Sequence, residues 1–258
     1  MSLLSLDKAT IQFGGLIAVN QVSFSLDKGD IFGLIGPNGA GKTTCFNLIT
    51  GIYEPTGGSV TFDGKVIAKA GKSAGPESIA KMGICRTFQN IRLYGSLSAI
   101  ENVMVGGFLR HRTGLFSALF DLKRAADETV ELREAGMKLL QAVGLDDVAD
   151  VRSRDLPYGS QRRLEIARAM ATQPKLLLLD EPAAGMNPQE KMDLMEVVRS
   201  IRDQFGMTVL LIEHDMRFVM GLCEKIFVLD HGEEIAFGLP EEVRANPKVI
   251  AAYLGEAH

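Results

Sequence analysis

Gly36-Pro37-Asn38-Gly39-Ala40-Gly41-Lys42-Thr43-Thr44 is the stretch whose reading decides the fold. It fits the pattern G-x-x-x-x-G-K-[ST]. The apolar run Ile31 to Ile35 precedes it, and residues 45–50 continue as a short helical pattern ended by Gly51, so the spacing predicts strand, glycine loop, helix. A nucleoside triphosphate needs backbone N–H donors arranged concavely around its phosphates. Gly36, Gly39 and Gly41 allow the torsions and close approaches that side chains would block. A helix starting near Lys42 aims unpaired N–H groups and its positive dipole end at the same anion. In this reading the whole run from Gly36 to Thr44 contacts the nucleotide. Lys42 reaches the β and γ phosphates, and the Thr43 hydroxyl gives one oxygen to Mg²⁺. An ordinary glycine-rich turn would explain the glycines but not the complete pattern in its proper setting.

The chain has 258 residues, which suits a nucleotide-binding core carrying a smaller attached subdomain. A hydrophobic content of 46% supplies a core, and a formal net charge of -4 provides no global basic field to hold nucleic acid, so no nucleic-acid partner is expected. Cys45, Cys85 and Cys223 are far apart, odd in number and not at metal-ligand spacing, and they read as buried thiols of a reducing compartment. The N-terminus shows no leader pattern and no window approaches the apolar length of a membrane span. The expectation is a cytoplasmic protein that does not itself cross a membrane.

Outward from the loop, residues 3–13 and 22–26 read as strands, the second alternating strictly, which predicts an antiparallel beginning. Phe13 ends the first run before Gly14-Gly15, where its ring either stacks on a nucleotide base or belongs to the core. After the loop helix, Asp63-Gly64 marks a tight turn. Residues 76–82 predict a short helix closed by Gly83, followed by a strand over 84–88 that ends at Gln89-Asn90. From 92 to 155 strand patterns give way to helical ones, with Ser98 and Glu101 forming a capping box and residues 122–143 repeating at helical spacing. This is the candidate helical subdomain, leaving 1–91 and 156–258 as core. Within it, residues 106–120 mix Phe108, Leu115, Phe116, Leu119 and Phe120 with Arg110, His111 and Arg112, read as core plus a solvated face.

A helix opens at Leu156-Pro157-Tyr158-Gly159-Ser160-Gln161 and stops before Pro174. Leu176-Leu177-Leu178-Leu179 is apolar on both faces, as a central parallel strand covered on each side must be, and it ends in Asp180-Glu181. Asn187-Pro188-Gln189-Glu190 predicts a capped helix ending at Gly206. Residues 208–212 form a second buried strand ending at Glu213-His214-Asp215, and 225–229 with 233–237 form a hairpin about Asp230-His231-Gly232. In an open α/β sheet, ligands collect beyond the carboxyl ends of the strands. The glycine loop, Gln89, Asp180 with Glu181, and His214 each follow such a strand, so one edge gathers all four. Asp180 is placed to hold Mg²⁺ directly or through water. Glu181 is placed to polarise the attacking water, and His214 to sense the γ phosphate.

These motifs, in this order and approximate spacing and over nearly the whole chain, resemble the ATPases of ABC transporters. The resemblance implies an α/β fold: a P-loop NTPase core with a mainly parallel sheet, an N-terminal antiparallel β subdomain and an inserted helical subdomain. It implies ATP and Mg²⁺ as cofactors, Phe13 as the base-stacking aromatic, Gln89 as a metal- and water-sensing residue facing a membrane subunit, and His214 as a switch. Leu156, Tyr158, Gly159, Ser160 and Gln161 lie where the family closes over the γ phosphate of an opposite subunit in a head-to-tail dimer. Here Pro157 stands for the family's serine, Tyr158 for its first glycine and Ser160 for its glutamine, while Asn187 stands for an aspartate. The Pro-Tyr-Gly form, the segment Ile212-Glu213-His214-Asp215-Met216 and the tail from Asn246-Pro247 to Tyr253-Leu254-Gly255-Glu256 look most like ATP-binding subunits of branched-chain amino-acid importers, with lipopolysaccharide-export ATPases the alternative. DNA-repair and chromosome ATPases of the same superfamily separate these motifs by long coiled coils, which are absent here. The implied partners are permease subunits, a second ATPase (a different chain or a copy of this one) and, indirectly, a periplasmic binding protein. The implied place is the inner face of the cell membrane.

Overall fold

The structure, a computed structural model, describes residues 2–108 and 122–254. In chain order its strands begin with β1 (Ser2–Phe13), β2 (Leu16–Asp27), β3 (Ile31–Ile35), β4 (Gly57–Phe62), β5 (Lys65–Lys69) and β6 (Lys72–Ser73). They continue with β7 (Ile84–Arg86), β8 (Leu176–Asp180), β9 (Thr208–Ile212), β10 (Lys225–Asp230) and β11 (Glu233–Gly238). Two sheets result. One is antiparallel, in the order β2-β1-β4-β5-β6; the other runs β11-β10-β3-β9-β8-β7, with five parallel strands and β11 as an antiparallel edge. The expected α/β fold with its antiparallel β beginning is the one observed.

The parallel sheet is covered on both faces, which explains its continuous apolar runs. In β8, Leu176 and Leu178 face one core and Leu177 and Leu179 face the other. All four are fully buried, each contributing roughly 1.5–3 kcal/mol by leaving water. The first core joins the antiparallel sheet to the loop helix Lys42–Ile49, with Cys45, Phe46, Leu48 and Ile49 packed between the layers. Phe24 of β2 lies 5.4 Å from Phe32 and 5.0 Å from Phe227, an aromatic bridge between the two sheets. The second core packs the helices Ala99–Phe108, Leu122–Ala142, Tyr158–Met170 and Pro188–Phe205 against the other face. The helical segment is fastened by the Ser98 capping box: Glu101 donates its N–H to the Ser98 hydroxyl at 3.3 Å, and Ser98 donates its N–H to Glu101 at 2.7 Å.

Three local expectations change. β2 starts at Leu16, six residues before the strictly alternating part, because 16–19 pair with Ile11–Phe13 across the Gly14-Gly15 turn while Leu16 and Ile17 stay exposed. The strand expected over 84–88 ends at Arg86: Thr87 still donates its N–H to Leu178 O, but Phe88 turns out to solvent. Cys45 and Cys223 are buried thiols, whereas Cys85 is only half-buried. Burial pushes the Cys45 thiol up to about 12. Most of the aromatic and basic run at 106–120, and Gly255-Glu256 of the tail, lie outside the described residues.

Candidate active site

The parallel sheet presents the carboxyl ends of β3, β9, β8 and β7 side by side, and these deliver the glycine loop, His214, Asp180-Glu181 and Gln89 respectively. The loop is held by backbone. Gly232, in the turn after β10, donates its N–H to Ala40 O, and its own carbonyl accepts from Asn20 N. Gly36 has φ 149°, and a Cβ there would lie 2.0 Å from Leu229 O; at Gly41, φ 103°, it would lie 2.5 Å from Ala18 O. Only glycine passes at these two positions. Pro37 is buried, Asn38 and Gly39 are exposed, and the Lys42 amine turns back into the loop, donating to Gly36 O at 2.5 Å and Pro37 O at 2.7 Å. No side chain caps the helix that begins at Lys42, so its first-turn N–H groups open onto the concave side, beside the exposed Thr43 and half-buried Thr44. A cradle of this kind fits a polyphosphate.

Glu181 lies between two partners. Its Oε2 accepts from Gln89 Nε2 at 2.7 Å and its Oε1 is 2.7 Å from His214 Nε2. The residue adopts φ 48°, a left-handed conformation unusual for glutamate, and its N–H donates to Ile212 O of the neighbouring strand. Asp180, on the last position of β8, is buried and pairs through Oδ2 with Arg86 Nη2 at 2.6 Å, while Arg86 Nη1 donates to Asn47 Oδ1 of the loop helix at 2.7 Å. Among the described residues no cluster of three or more His, Cys, Asp and Glu side chains could cage a metal ion. Thr43, Asp180 and Gln89 at this edge carry hard oxygen atoms, the donor type that suits a phosphate-bound Mg²⁺.

Phe13 is 47% exposed on the β1–β2 hairpin and meets Tyr53 edge-on at 5.2 Å, so it is not a core residue. Leu156 is buried, and the helix Tyr158–Met170 starts after Pro157 without a side-chain cap. Tyr158 packs over Gly185; Gly159 is buried, its Cβ direction facing Glu190; Ser160 accepts from Arg163; Gln161 donates to Leu156 O at 2.8 Å. Asn187 caps the next helix, accepting from Glu190 N at 3.0 Å in a capping box.

Several neighbours of the site give no motif signal in the sequence. Arg86 ends a short strand two residues before Phe88. Glu213 precedes His214 and is nearly enclosed, its carboxylate accepting from Ala183 N and His214 N at 2.7 and 3.1 Å. Burial pushes this carboxyl upward, and the backbone donors oppose that shift.

A glycine loop braced from behind and an acid held between a glutamine and a histidine at one sheet edge define a P-loop ATPase. The family model described as ABC transporter matches residues 19–184, and the model described as branched-chain amino acid ATP-binding cassette transporter matches 233–258. The high-affinity branched-chain amino acid transport ATP-binding protein LivG of Salmonella typhimurium is 46% identical over 255 residues, 99% of this chain and 98% of that protein. The corresponding protein BraF of Pseudomonas aeruginosa is 44% identical over the same shares. The crystal structure of the ADP conformation of MJ1267, an ATP-binding cassette of an ABC transporter, superposes with a TM-score of 0.84 at 31% identity, covering 99% of this chain and 100% of that one. The chain belongs to the ABC transporter family, as a nucleotide-binding ATPase subunit. Such subunits dimerise and work with membrane subunits, and no helix of the described residues is long and apolar enough to cross a membrane itself.

Proposed function

We propose that this chain powers uptake of branched-chain amino acids by hydrolysing Mg-ATP on the inner face of the cell membrane. The observation that carries the hydrolytic part is Glu181, held between Gln89 and His214 at the edge that also carries the glycine loop. Glu181 takes the proton of the attacking water, His214 senses the γ phosphate, and Gln89 senses the metal and the water. Lys42 releases Gly36 O and Pro37 O for phosphate oxygens, and Phe13 stacks on the base. Thr43, Asp180 and Gln89 would hold Mg²⁺, which would supply positive charge to offset that of the phosphates. Arg86 ties the Asp180 carboxylate to Asn47 of the loop helix. The transported substrate is read from the 46% identity to LivG and from the C-terminal family match.

The permease docks in the groove of about 370 Å³ between the Gln89 loop and the helical segment, lined by Phe88, Arg92, Tyr94 and Arg168. Crosslinks from the permease confined to the tail after Asn246 would remove that placement. A second ATPase, a different chain in our reading, closes over the nucleotide, and a periplasmic binding protein delivers the substrate.

The decisive experiment is Glu181→Gln. The variant should bind Mg-ATP like the parent while ATP turnover falls by about 10²–10⁴, the usual value of general-base assistance. Cells dependent on it should lose leucine uptake. Turnover at the parental rate would remove Glu181 from the chemistry.

A further inference from the structure

The loop that carries Gln89 has little backbone pairing of its own. Between Arg86 and the helix starting at Ala99 it forms neither strand nor helix, so its backbone groups need partners elsewhere. Tyr94 and Leu97 find them on Asn102 and Ser153, while Phe88, Gln89 and Arg92 find them on one face of the helix Tyr158–Met170. Arg162 donates through Nη1 to Phe88 O at 2.9 Å and through Nη2 to Gln89 O. Glu165 accepts from Arg92 N at 3.3 Å, and Arg168 donates to Arg92 O. Arg162 and Glu165 are also paired with each other at 3.2 Å, with both side chains only 3% exposed.

Burying an ion pair costs several kcal/mol of desolvation per ion and is often no better for stability than two apolar side chains. Among the described residues Arg162 Nε even lacks a hydrogen-bond partner. Packing alone therefore gives a poor reason for these two residues. Their geometry gives a better one, because the helix they sit on begins with the Tyr158-Gly159-Ser160 turn, and the loop they grip sends Gln89 to Glu181.

We propose that Arg162 and Glu165 are positioning residues for hydrolysis, a buried clamp that makes the Gln89 loop and the turn at Gly159-Ser160 move as one body. Arrival of the γ phosphate shifts Gln89, the loop carbonyls carry Arg162 with them, and the turn facing the opposite subunit is reoriented. The coupling is reciprocal, so closure by the opposite subunit presses Gln89 toward Glu181. This inference rests on the hydrolytic role of Glu181 and Gln89 proposed above.

The test uses the full chain and three variants: Arg162→Lys, the double substitution Arg162→Met with Glu165→Met, and the same double substitution in a Gln89→Ala background. Nucleotide affinity should stay within about twofold of the parent in the first two, since neither touches the glycine loop, while the methionine pair lowers kcat about tenfold at unchanged KM. Lysine keeps the Glu165 pair but cannot span both carbonyls, and should fall between. With Gln89 already removed, the methionine pair should cost less than about twofold more, the non-additivity of groups acting through one another. Parental kcat in the folded methionine pair, or a full tenfold loss on top of Gln89→Ala, overturns the clamp. Should the methionine pair fail to fold, Arg162→Lys carries the test by the same split between kcat and KM, and a parental kcat there overturns the clamp. Glu181→Gln run alongside separates the two readings: if it turns over normally the hydrolytic reading fails, and if it is dead while the arginine variants are silent only the clamp fails.

Discussion

The glycine loop at 36–44 and the helix start at 156–161 are, in the function proposed above, the two surfaces a nucleotide meets, one on its own side and one on a partner's, and they are built in opposite ways. The loop is fixed by main chain: Gly232 N–H on Ala40 O, Leu229 O against Gly36 and Ala18 O against Gly41. The helix start is fixed by side chains. Tyr158 lies on Gly185, Glu190 faces Gly159, and Gln161 reaches back to Leu156 O. Backbone contacts dictate residue type, because nothing larger than glycine passes; side-chain contacts tolerate substitution, because a flexible partner can move. On this footing a substitution in the loop is costly and one at the helix start is cheap.

The sharpest way to break the contrast is to add one methyl group to each. Gly36→Ala would drive a Cβ to 2.0 Å from a main-chain carbonyl at a φ that L-residues avoid. We expect a loss of about 3–5 kcal/mol of stability together with nucleotide binding. Gly159→Ala meets only the end of Glu190 at 2.8 Å, which can swing aside at the expense of half a capping box, about 1 kcal/mol or less. Urea midpoints and nucleotide titrations of the two variants decide it. Equal losses would mean that the two surfaces are equally rigid.

The same contrast explains what could be read from the sequence. The parallel sheet was legible in residues 31–35, 176–180 and 208–212 because strands buried on both faces leave an unbroken apolar run. That loop, switch, acids and glutamine gather at one edge followed from each motif terminating a strand, whereas their order along it comes from the strand order β3-β9-β8-β7. β2 was read short because periodicity reports burial, and Leu16 and Ile17 pair by backbone while their side chains stay in water. Arg86, Arg162, Glu165 and Glu213 were invisible as site neighbours for a related reason. Their partners are carbonyls, amides or a carboxylate far away in sequence, and no local pattern announces a side chain that bonds to distant main chain. Tyr53 behind Phe13 is the same case in aromatic form.

Phe13 gives a second, smaller test, because it belongs to the nucleotide's own side yet stands on an exposed hairpin rather than on the braced loop. Phe13→Ala should weaken ATP binding by about 1–3 kcal/mol, the range of base-aromatic stacking, with little change in turnover at saturation and little in thermal stability. The stability half of this expectation follows from its exposure, and a large drop in Tm with unchanged affinity would return the ring to a structural role supporting Tyr53.

The smallest expected effect is at Pro157, and it bears on which partner closes the site. Proline at the start of the helix Tyr158–Met170 has the extended torsions of a cap, φ -55° and ψ 152°, but no side-chain acceptor for the first-turn N–H groups and no hydroxyl for a phosphate. Serine can adopt the same torsions and supply both. Pro157→Ser should therefore raise stability by no more than about 1 kcal/mol, the value of a good cap, partly offset by the extra freedom serine has when unfolded. Its larger consequence would be between subunits. Combined with Glu181→Gln, which preserves the nucleotide, it should let the chain associate with itself in Mg-ATP more tightly than Glu181→Gln alone, because two repaired closing surfaces now face two intact loops. If this chain normally pairs with a different ATPase whose closing surface is fuller, the unrepaired protein stays largely monomeric by sedimentation until that partner is added. A tight homodimer formed without the serine, and unchanged by it, would show that the departures at 157 and 187 do not weaken closure, and the argument for an unlike partner would fall with them.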